Sequence, residues 1–292
     1  DDAERRCSPG QRPRCAPALE PRTLAPPARR TAEVVGCQHV GAYRLLSTED
    51  LSGPTDPRPG QFYMLAAAKR WGGGGSERPY LPRAFSYARA EPMQEGVRLS
   101  FLVEDVGPGT ERLAELRPGE GLLLVGPLGV GFRLPREGRR PVLVGGGIGT
   151  APLVCLSDEL EDAIVLLGFR SAVHAVAAAL FHAGPGLASD DGSVGRHGLV
   201  IELLGEELAR DDPAEVFACG PPPMLEAVRA LCAERGVPAQ LAMEAGMACG
   251  FGACFGCVVP THDGFVRLCV DGPVLDADML ESALTPGGGH QG

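Results

Sequence analysis

The chain of 292 residues contains ten cysteines, and four of them gather toward its C-terminal end. Cys249, Cys254 and Cys257 follow the spacing C-x4-C-x2-C within MACGFGACFGCVVP, and Cys269 comes after eleven further residues in VRLCVDGPV. Thiolates bind soft metals, and such a run closed by a distant fourth cysteine is a ligand set for a [2Fe-2S] centre. Cys269 is then the fourth ligand. Gly250, Gly252 and Gly256 lie between the ligands, where missing side chains let the loop fold tightly and turn backbone N–H groups toward sulfur. A structural zinc site uses the same donors, but it usually presents two short ligand pairs, and here one arm has a single cysteine.

Three other stretches have chemistry to offer. In RAFSYARA an arginine and a serine, Arg83 and Ser86, stand on one strand, on opposite faces or at a bend. GPGTERLAEL follows, with a glycine turn and Thr110 opening a short helix whose free N–H groups and positive dipole favour an anion. An arginine beside a helix N-terminus suits the pyrophosphate of a flavin dinucleotide. In VLVGGGIGTAPL a buried strand runs into Gly145, Gly146, Gly147 and Gly149, with Thr150 at the start of a helix, a geometry for a second pyrophosphate. The third glycine of G-x-G-x-x-G is missing. About twenty residues on, where an acid would meet the ribose of NAD, the chain has Arg170 and Ser171, groups able to receive the 2′-phosphate of NADP. FACGPPPML ends a strand at Cys219 and Gly220 before a proline-started helix at Pro221.

These sites need scaffolds of different kinds. From 31 to 136 short β-like runs alternate with Gly and Pro turns, the pattern of an antiparallel barrel or sandwich. From 137 to 240 strands and helices alternate, with PVLVGGG, AIVLLGF and EVFACG as strands and APLVCLSDELE, HAVAAALF and PPPMLEAVRALCAERG as helices, the pattern of a parallel α/β layer. A cysteine-bearing module fills 241 to 284. The Arg- and Pro-rich residues 1 to 30 and the terminal 285 to 292 are expected to be disordered tails, and the linker WGGGGSERPY at 71 to 80, with its glycines at 72 to 75, a flexible loop inside the first domain.

Composition narrows the partners. A formal charge of −10 argues against nucleic acid, and no apolar run is long enough to span a membrane. The first residues, DDAERRCSPGQRPRC, carry charges and prolines where a secretory leader has an apolar core, so a cytoplasmic location is expected. Cysteines in that compartment point to metal or redox chemistry. Cys37, Cys155 and Cys232 sit in apolar surroundings as small core residues. The six histidines are scattered and form no acid-base or nucleophilic constellation, so no catalytic side chain is assigned.

RAFS, GPGT, GPLGVGF, GGGIGTAPL, ACGPPPM and the cysteine run, in that order, resemble the ferredoxin-NADP reductase superfamily over residues 31 to 283. Within it they are most similar to the electron-transfer subunits of type B dihydroorotate dehydrogenases, because the gap before the fourth cysteine is short. The resemblance implies an antiparallel flavin-binding β-barrel, a parallel α/β nucleotide-binding domain and a small C-terminal [2Fe-2S] module. It implies FAD contacts from Arg83, Ala84, Phe85, Ser86, Phe101, Leu102, Gly109 and Thr110. Nicotinamide nucleotide contacts would come from Gly145, Gly146, Gly147, Gly149, Thr150, Cys219, Gly220 and Pro221. Ala84 departs from the motif, which usually has proline there. The implied partner is an FMN-containing dihydroorotate dehydrogenase catalytic subunit, two of each chain forming a heterotetramer. Electrons would pass from that FMN through the cluster and FAD to NAD⁺, in pyrimidine (UMP) biosynthesis. The alternatives are an NADPH-ferredoxin oxidoreductase or sulfhydrogenase γ-type subunit and, in another class, a non-redox zinc-containing binding protein.

Overall fold

The computed structural model describes residues 28–72 and 79–284; the expected tails over 1–27 and 285–292 and the glycines at 73–75 lie outside them. The first body is a closed antiparallel barrel of β1 (Arg30–Val40), β2 (Tyr43–Asp50), β3 (Phe62–Ala67), β4 (Arg83–Pro92), β5 (Val97–Glu104) and β6 (Gly121–Leu128), in the order β1-β2-β5-β4-β3-β6. Helix α1 (Pro108–Ala114) lies between β5 and β6. Alternation builds the barrel interior: Val97, Leu99, Phe101 and Val103 of β5 point inward beside Tyr63 and Tyr87 while Arg98 points out. Each fully buried side chain of this size contributes about 1.5–3 kcal/mol.

The barrel begins one residue before its expected start. Arg30, placed by composition in the tail, is the first residue of β1, because its guanidinium meets the buried carboxylate of Asp50 at 2.7 Å and donates to the Gly126 carbonyl.

The second body is built on β7 (Arg140–Gly146), β8 (Ile164–Phe169), β9 (Gly186–Ser189), β10 (Arg196–His197), β11 (Ala214–Cys219) and β12 (Ala239–Ala242), all parallel. Helices α2 (Thr150–Glu159), α3 (Ala172–Ala175), α4 (Val200–Glu207) and α5 (Pro222–Arg235) connect them. Strand residues divide by parity: Val142, Val144, Val216 and Ala218 pack with Leu204 and Leu225 of α4 and α5. Leu143, Val165, Leu167 and Phe217 face Leu153 and Leu156 of α2. The sheet is therefore covered on both faces. The helix expected over HAVAAALF is a single α turn followed by a 3-10 turn at Val176–Leu180.

The cysteine module contains the hairpin β13 (Val258–Thr261) and β14 (Gly264–Arg267), then β15 (Val274–Asp276). β15 adds antiparallel to β12 as the last strand of the nucleotide sheet, and the expected boundary between 240 and 241 falls inside β12.

Candidate functional site

Positive φ at Gly250 (79°) and Gly252 (88°) curls the backbone of the cysteine loop, a conformation in which a Cβ is strained. A Cβ on Gly250 would lie 2.5 Å from Met64 of the barrel, and one on Gly252 would lie 2.7 Å from Val270. Backbone N–H groups point at two of the sulfurs: Gly256 donates to Cys254 Sγ and Cys269 to Cys257 Sγ, each at 3.4 Å. Burial raises the Cys249 pKa, but N–H groups of Phe251, Cys254 and Ala253 and the Cys254 thiol outweigh it and bring it to about 6. Burial and the Cys257 thiol push Cys269 up to about 12. Arg267 braces the loop, donating to the Gly252 carbonyl at 3.2 Å with its guanidinium 5.2 Å from the Phe255 ring centroid.

Cys254 lies beside Cys249 and Cys257 beside Cys269, and Cys269 also feels Cys249, so the four thiols are neighbours. Among the described residues no three Cys, His, Asp or Glu side chains converge as a single metal ion requires. Four neighbouring cysteine thiols with the C-x4-C-x2-C spacing are a donor set for a [2Fe-2S] cluster.

One strand away, β4 and β5 part. β4 pairs with β5 only from Tyr87–Phe101 onward; Arg83, Ala84, Phe85 and Ser86 pair with β3 alone, and Leu102–Glu104 with β2 alone. The unpaired stretch between the facing edges is a slot in the strand ladder. Arg83 closes its end, with its guanidinium 5.8 Å from the Trp71 ring centroid and so close to Gly109 that a Cβ there would lie 2.6 Å from Arg83 Nε. An anion at this turn would meet the guanidinium and the first N–H groups of α1 together. Thr110 holds the turn, its Oγ1 accepting from the Val106 N–H at 3.0 Å and donating to the Gly107 carbonyl at 2.9 Å. Its hydroxyl is spent on the loop.

Phe101 does not offer its side chain to the slot; it is fully buried in the barrel, edge-on to Tyr63 at 5.7 Å, because strand alternation turns it inward. Only its backbone borders the opening.

At the C-terminal edge of the nucleotide sheet the glycines have separate reasons. A Cβ on Gly145 would strike Leu167 at 2.7 Å, one on Gly146 would strike Met224 at 2.6 Å, and one on Gly149 would meet the Cys219–Gly220 backbone at 2.6 Å. These three, with Gly220 and Pro221, let the two loops cross. Gly147 alone of the four opens outward: at φ 53° its nearest contact would be Tyr43 Oη at 3.9 Å. Thr150 Oγ1 is buried without a hydrogen-bond partner beside it. An orphaned hydroxyl next to an uncovered glycine at a sheet's C-terminal edge suits a phosphate-bearing ligand. Burial raises the Cys219 thiol to about 12, with Glu244 adding, so it stays neutral. Arg170 and Ser171 are engaged within the protein, by Glu104 and His174.

The slot and the cysteine loop are neighbours. Met64, against which Gly250 rests, is the β3 partner of Ala84 across the strand pair. Sequence reasoning missed Met64, Tyr43 and Glu104; none has a local motif, and each reaches the site from a distant strand.

A family model described as the iron-sulfur cluster binding domain of dihydroorotate dehydrogenase B matches residues 244–281. The electron transfer subunit of dihydroorotate dehydrogenase B (NAD(+)) from Clostridium acetobutylicum is 35% identical over 238 residues, which is 80% of this chain and 89% of that protein. The protein of the same name from Enterococcus faecalis is 37% identical over 237 residues, 76% of this chain and 86% of that one. Among solved structures, an NADH-dependent reduced ferredoxin-NADP oxidoreductase superposes with a TM-score of 0.70 at 24% identity, covering 86% of this chain and 90% of that one. The ferredoxin reductase of carbazole 1,9a-dioxygenase gives 0.60 at 22%, covering 73% and 67%. These two likenesses concern the fold.

Proposed function

The chain belongs to the family of electron transfer subunits of dihydroorotate dehydrogenase B, and from that premise we propose that it links dihydroorotate oxidation on a partner chain to reduction of NAD⁺, in pyrimidine (UMP) biosynthesis. The observation that carries this is the contact of Gly250 with Met64, which sets the cysteine loop one strand from the Arg83–Ser86 slot. When bound, a [2Fe-2S] cluster carries single electrons and FAD exchanges one or two, which joins one-electron transfer to hydride chemistry.

Each residue has a task in that scheme. Cys249, Cys254, Cys257 and Cys269 would hold the cluster, and the loop's N–H groups would stabilise charge on sulfur. Arg83 and the turn at Gly109 and Thr110 receive the flavin pyrophosphate, while Ala84, Phe85, Ser86 and the backbone at Phe101 and Leu102 line the slot. Gly147 and Thr150 receive the nicotinamide nucleotide, with Gly145, Gly146, Gly149, Gly220 and Pro221 shaping the loops. Cys219, kept neutral, stands beside them. Dihydroorotate itself is oxidised on an FMN-containing catalytic subunit, two copies of each chain forming a heterotetramer. Phe251 and Phe255, exposed beside the ligands, meet that subunit. No helix among the described residues is long and apolar enough to cross a membrane, and the assigned place is the cytoplasm.

Anaerobically purified protein should show flavin bands with an iron-sulfur shoulder that dithionite bleaches. Co-expression with a dihydroorotate dehydrogenase catalytic subunit should then yield NAD⁺-linked orotate formation. A colourless protein with stoichiometric zinc would end the redox reading, and a coloured protein that forms no complex and is reduced by NADPH alone would end the assignment of partner and nucleotide.

A further inference from the structure

We propose that Glu104 of the barrel sets the choice between NAD and NADP by taking up Arg170, the guanidinium that would otherwise receive a 2′-phosphate. The proposal rests on the nicotinamide nucleotide site assigned above to the edge at Gly147. Arg170 and Ser171 follow β8, the strand beside β7, where a dinucleotide-binding sheet meets the adenosine ribose. NADP differs from NAD there by one phosphate, and a site for it needs free donors, above all an arginine fork.

Both residues are already engaged within the protein. Arg170 Nη2 donates to Glu104 Oε1 at 2.6 Å, and Glu104 comes from the end of β5 across the domain boundary. Ser171 Oγ lies 2.9 Å from His174 Nδ1, and the other nitrogen of that ring is 3.8 Å from the same Glu104 oxygen. His174 is packed edge-on against Tyr43 at 5.8 Å, which fixes the ring between the two bodies. The pair that sequence alone offers to a phosphate is thus held from the barrel side.

The other flank is acidic. The turn after β9 lies along this segment, the Asp190 N–H donating to the Phe169 carbonyl at 3.0 Å and the Asp191 N–H to the Arg170 carbonyl at 3.3 Å. The Asp191 carboxylate accepts from Ser193 N–H and Oγ, at 2.9 and 2.6 Å, and Ser193 Oγ in turn accepts from the Ala172 N–H at 2.7 Å. Glu104 therefore holds the guanidinium, and the turn that lies along the segment adds two acidic residues, Asp190 and Asp191. A phosphate dianion would have to take Arg170 from Glu104 and face the remaining charges, whereas a ribose diol can donate hydrogen bonds to carboxylates. An exposed ion pair is individually weak. Discrimination here comes from the repulsion of the wrong ligand as much as from attraction of the right one.

The test uses calorimetric titration of the full chain with ADP-ribose and 2′-phospho-ADP-ribose, which differ only in the phosphate. Glu104→Gln should tighten the phosphorylated probe about tenfold relative to ADP-ribose, and adding Arg170→Gln should abolish that gain. An unchanged ratio in Glu104→Gln, or a gain that survives the second substitution, overturns the proposal. Arg170→Gln alone, at an exposed position, should leave the preference for ADP-ribose in place. A tenfold loss of the phosphorylated probe in that variant would mean that Arg170 already serves the phosphate, and would overturn it too. If neither probe binds the unaltered chain, the nucleotide site itself is wrong and the proposal falls with it.

Discussion

Gly250 of the cysteine loop rests on the side chain of Met64, so closely that a Cβ on the glycine would lie 2.5 Å from Met64 Cγ and 2.8 Å from Sδ. Gly250→Ala therefore strains a φ of 79° and presses the loop off the barrel. Together these cost about 1–3 kcal/mol. Iron content and the electron paramagnetic signal per chain should both fall. Because the two residues share one contact, Met64→Ala should recover part of the loss in the double variant. Independent, additive losses would mean that the contact does not position the loop.

Cys269→Ser removes one sulfur of the couple formed with Cys257 while leaving the slot between β4 and β5 untouched. The iron-sulfur absorption should be lost or displaced, with the flavin bands kept. Cys155→Ser is the control: that thiol is also buried and pushed up to about 12, but it lies on α2, packed against the barrel core beside Tyr87. A normal cluster signal in Cys269→Ser would show that another group is the fourth ligand.

The ligand loop was legible because its spacing is local, and the two scaffolds were legible because alternation with period two and strand–helix succession are written along the chain. What escaped has its cause in contacts between distant segments. Gly145, Gly146 and Gly149 looked like pieces of a phosphate loop, yet Leu167, Met224 and the Cys219–Gly220 backbone are what forbid their side chains. Arg170 looked free because Glu104, which holds it, is 66 residues earlier. Arg30 sat in a polar, proline-rich run whose composition hides that its guanidinium closes onto Asp50. The inward turn of Phe101 was readable from Val97, Leu99 and Val103, which share its parity.

The different reasons for Gly147 and Gly149 are separable. Gly149→Ala drives a Cβ into backbone at 2.6 Å and should destabilise the protein by about 1–3 kcal/mol, seen as a lower denaturation midpoint. Gly147→Ala meets open space and carries only the left-handed strain of about 1–2 kcal/mol, so its distinguishing effect should be weaker nucleotide binding, by about tenfold or more. Equal nucleotide affinity in Gly147→Ala and the unaltered protein would show that no ligand approaches that glycine.

Glu226 of α5 gathers the end of the described chain. Its carboxylate accepts from Arg229 at 2.6 and 3.1 Å, from the Ala283 N–H at 2.6 Å and from Ser282 Oγ at 3.1 Å. The Arg229 bonds, opposed by burial and aided by Ala283 and Ser282, hold its pKa at about 2. An unfolded glutamate titrates near ~4.3, so the folded state binds the proton less tightly and gains stability wherever the group is ionised. The shift corresponds to about 3 kcal/mol, which solvent screening of this partly exposed pair reduces to on the order of 1–2 kcal/mol; it is complete at neutral pH and is lost as the pH falls from about 4 toward 2. Glu226→Gln should therefore lower the denaturant midpoint at pH 7, and the gap between variant and parent should close across that acid window. A gap of constant size from neutral to acid would mean that the glutamate acts through its shape and neutral hydrogen bonds, and that its charge does not hold residues 282 and 283 to the helix.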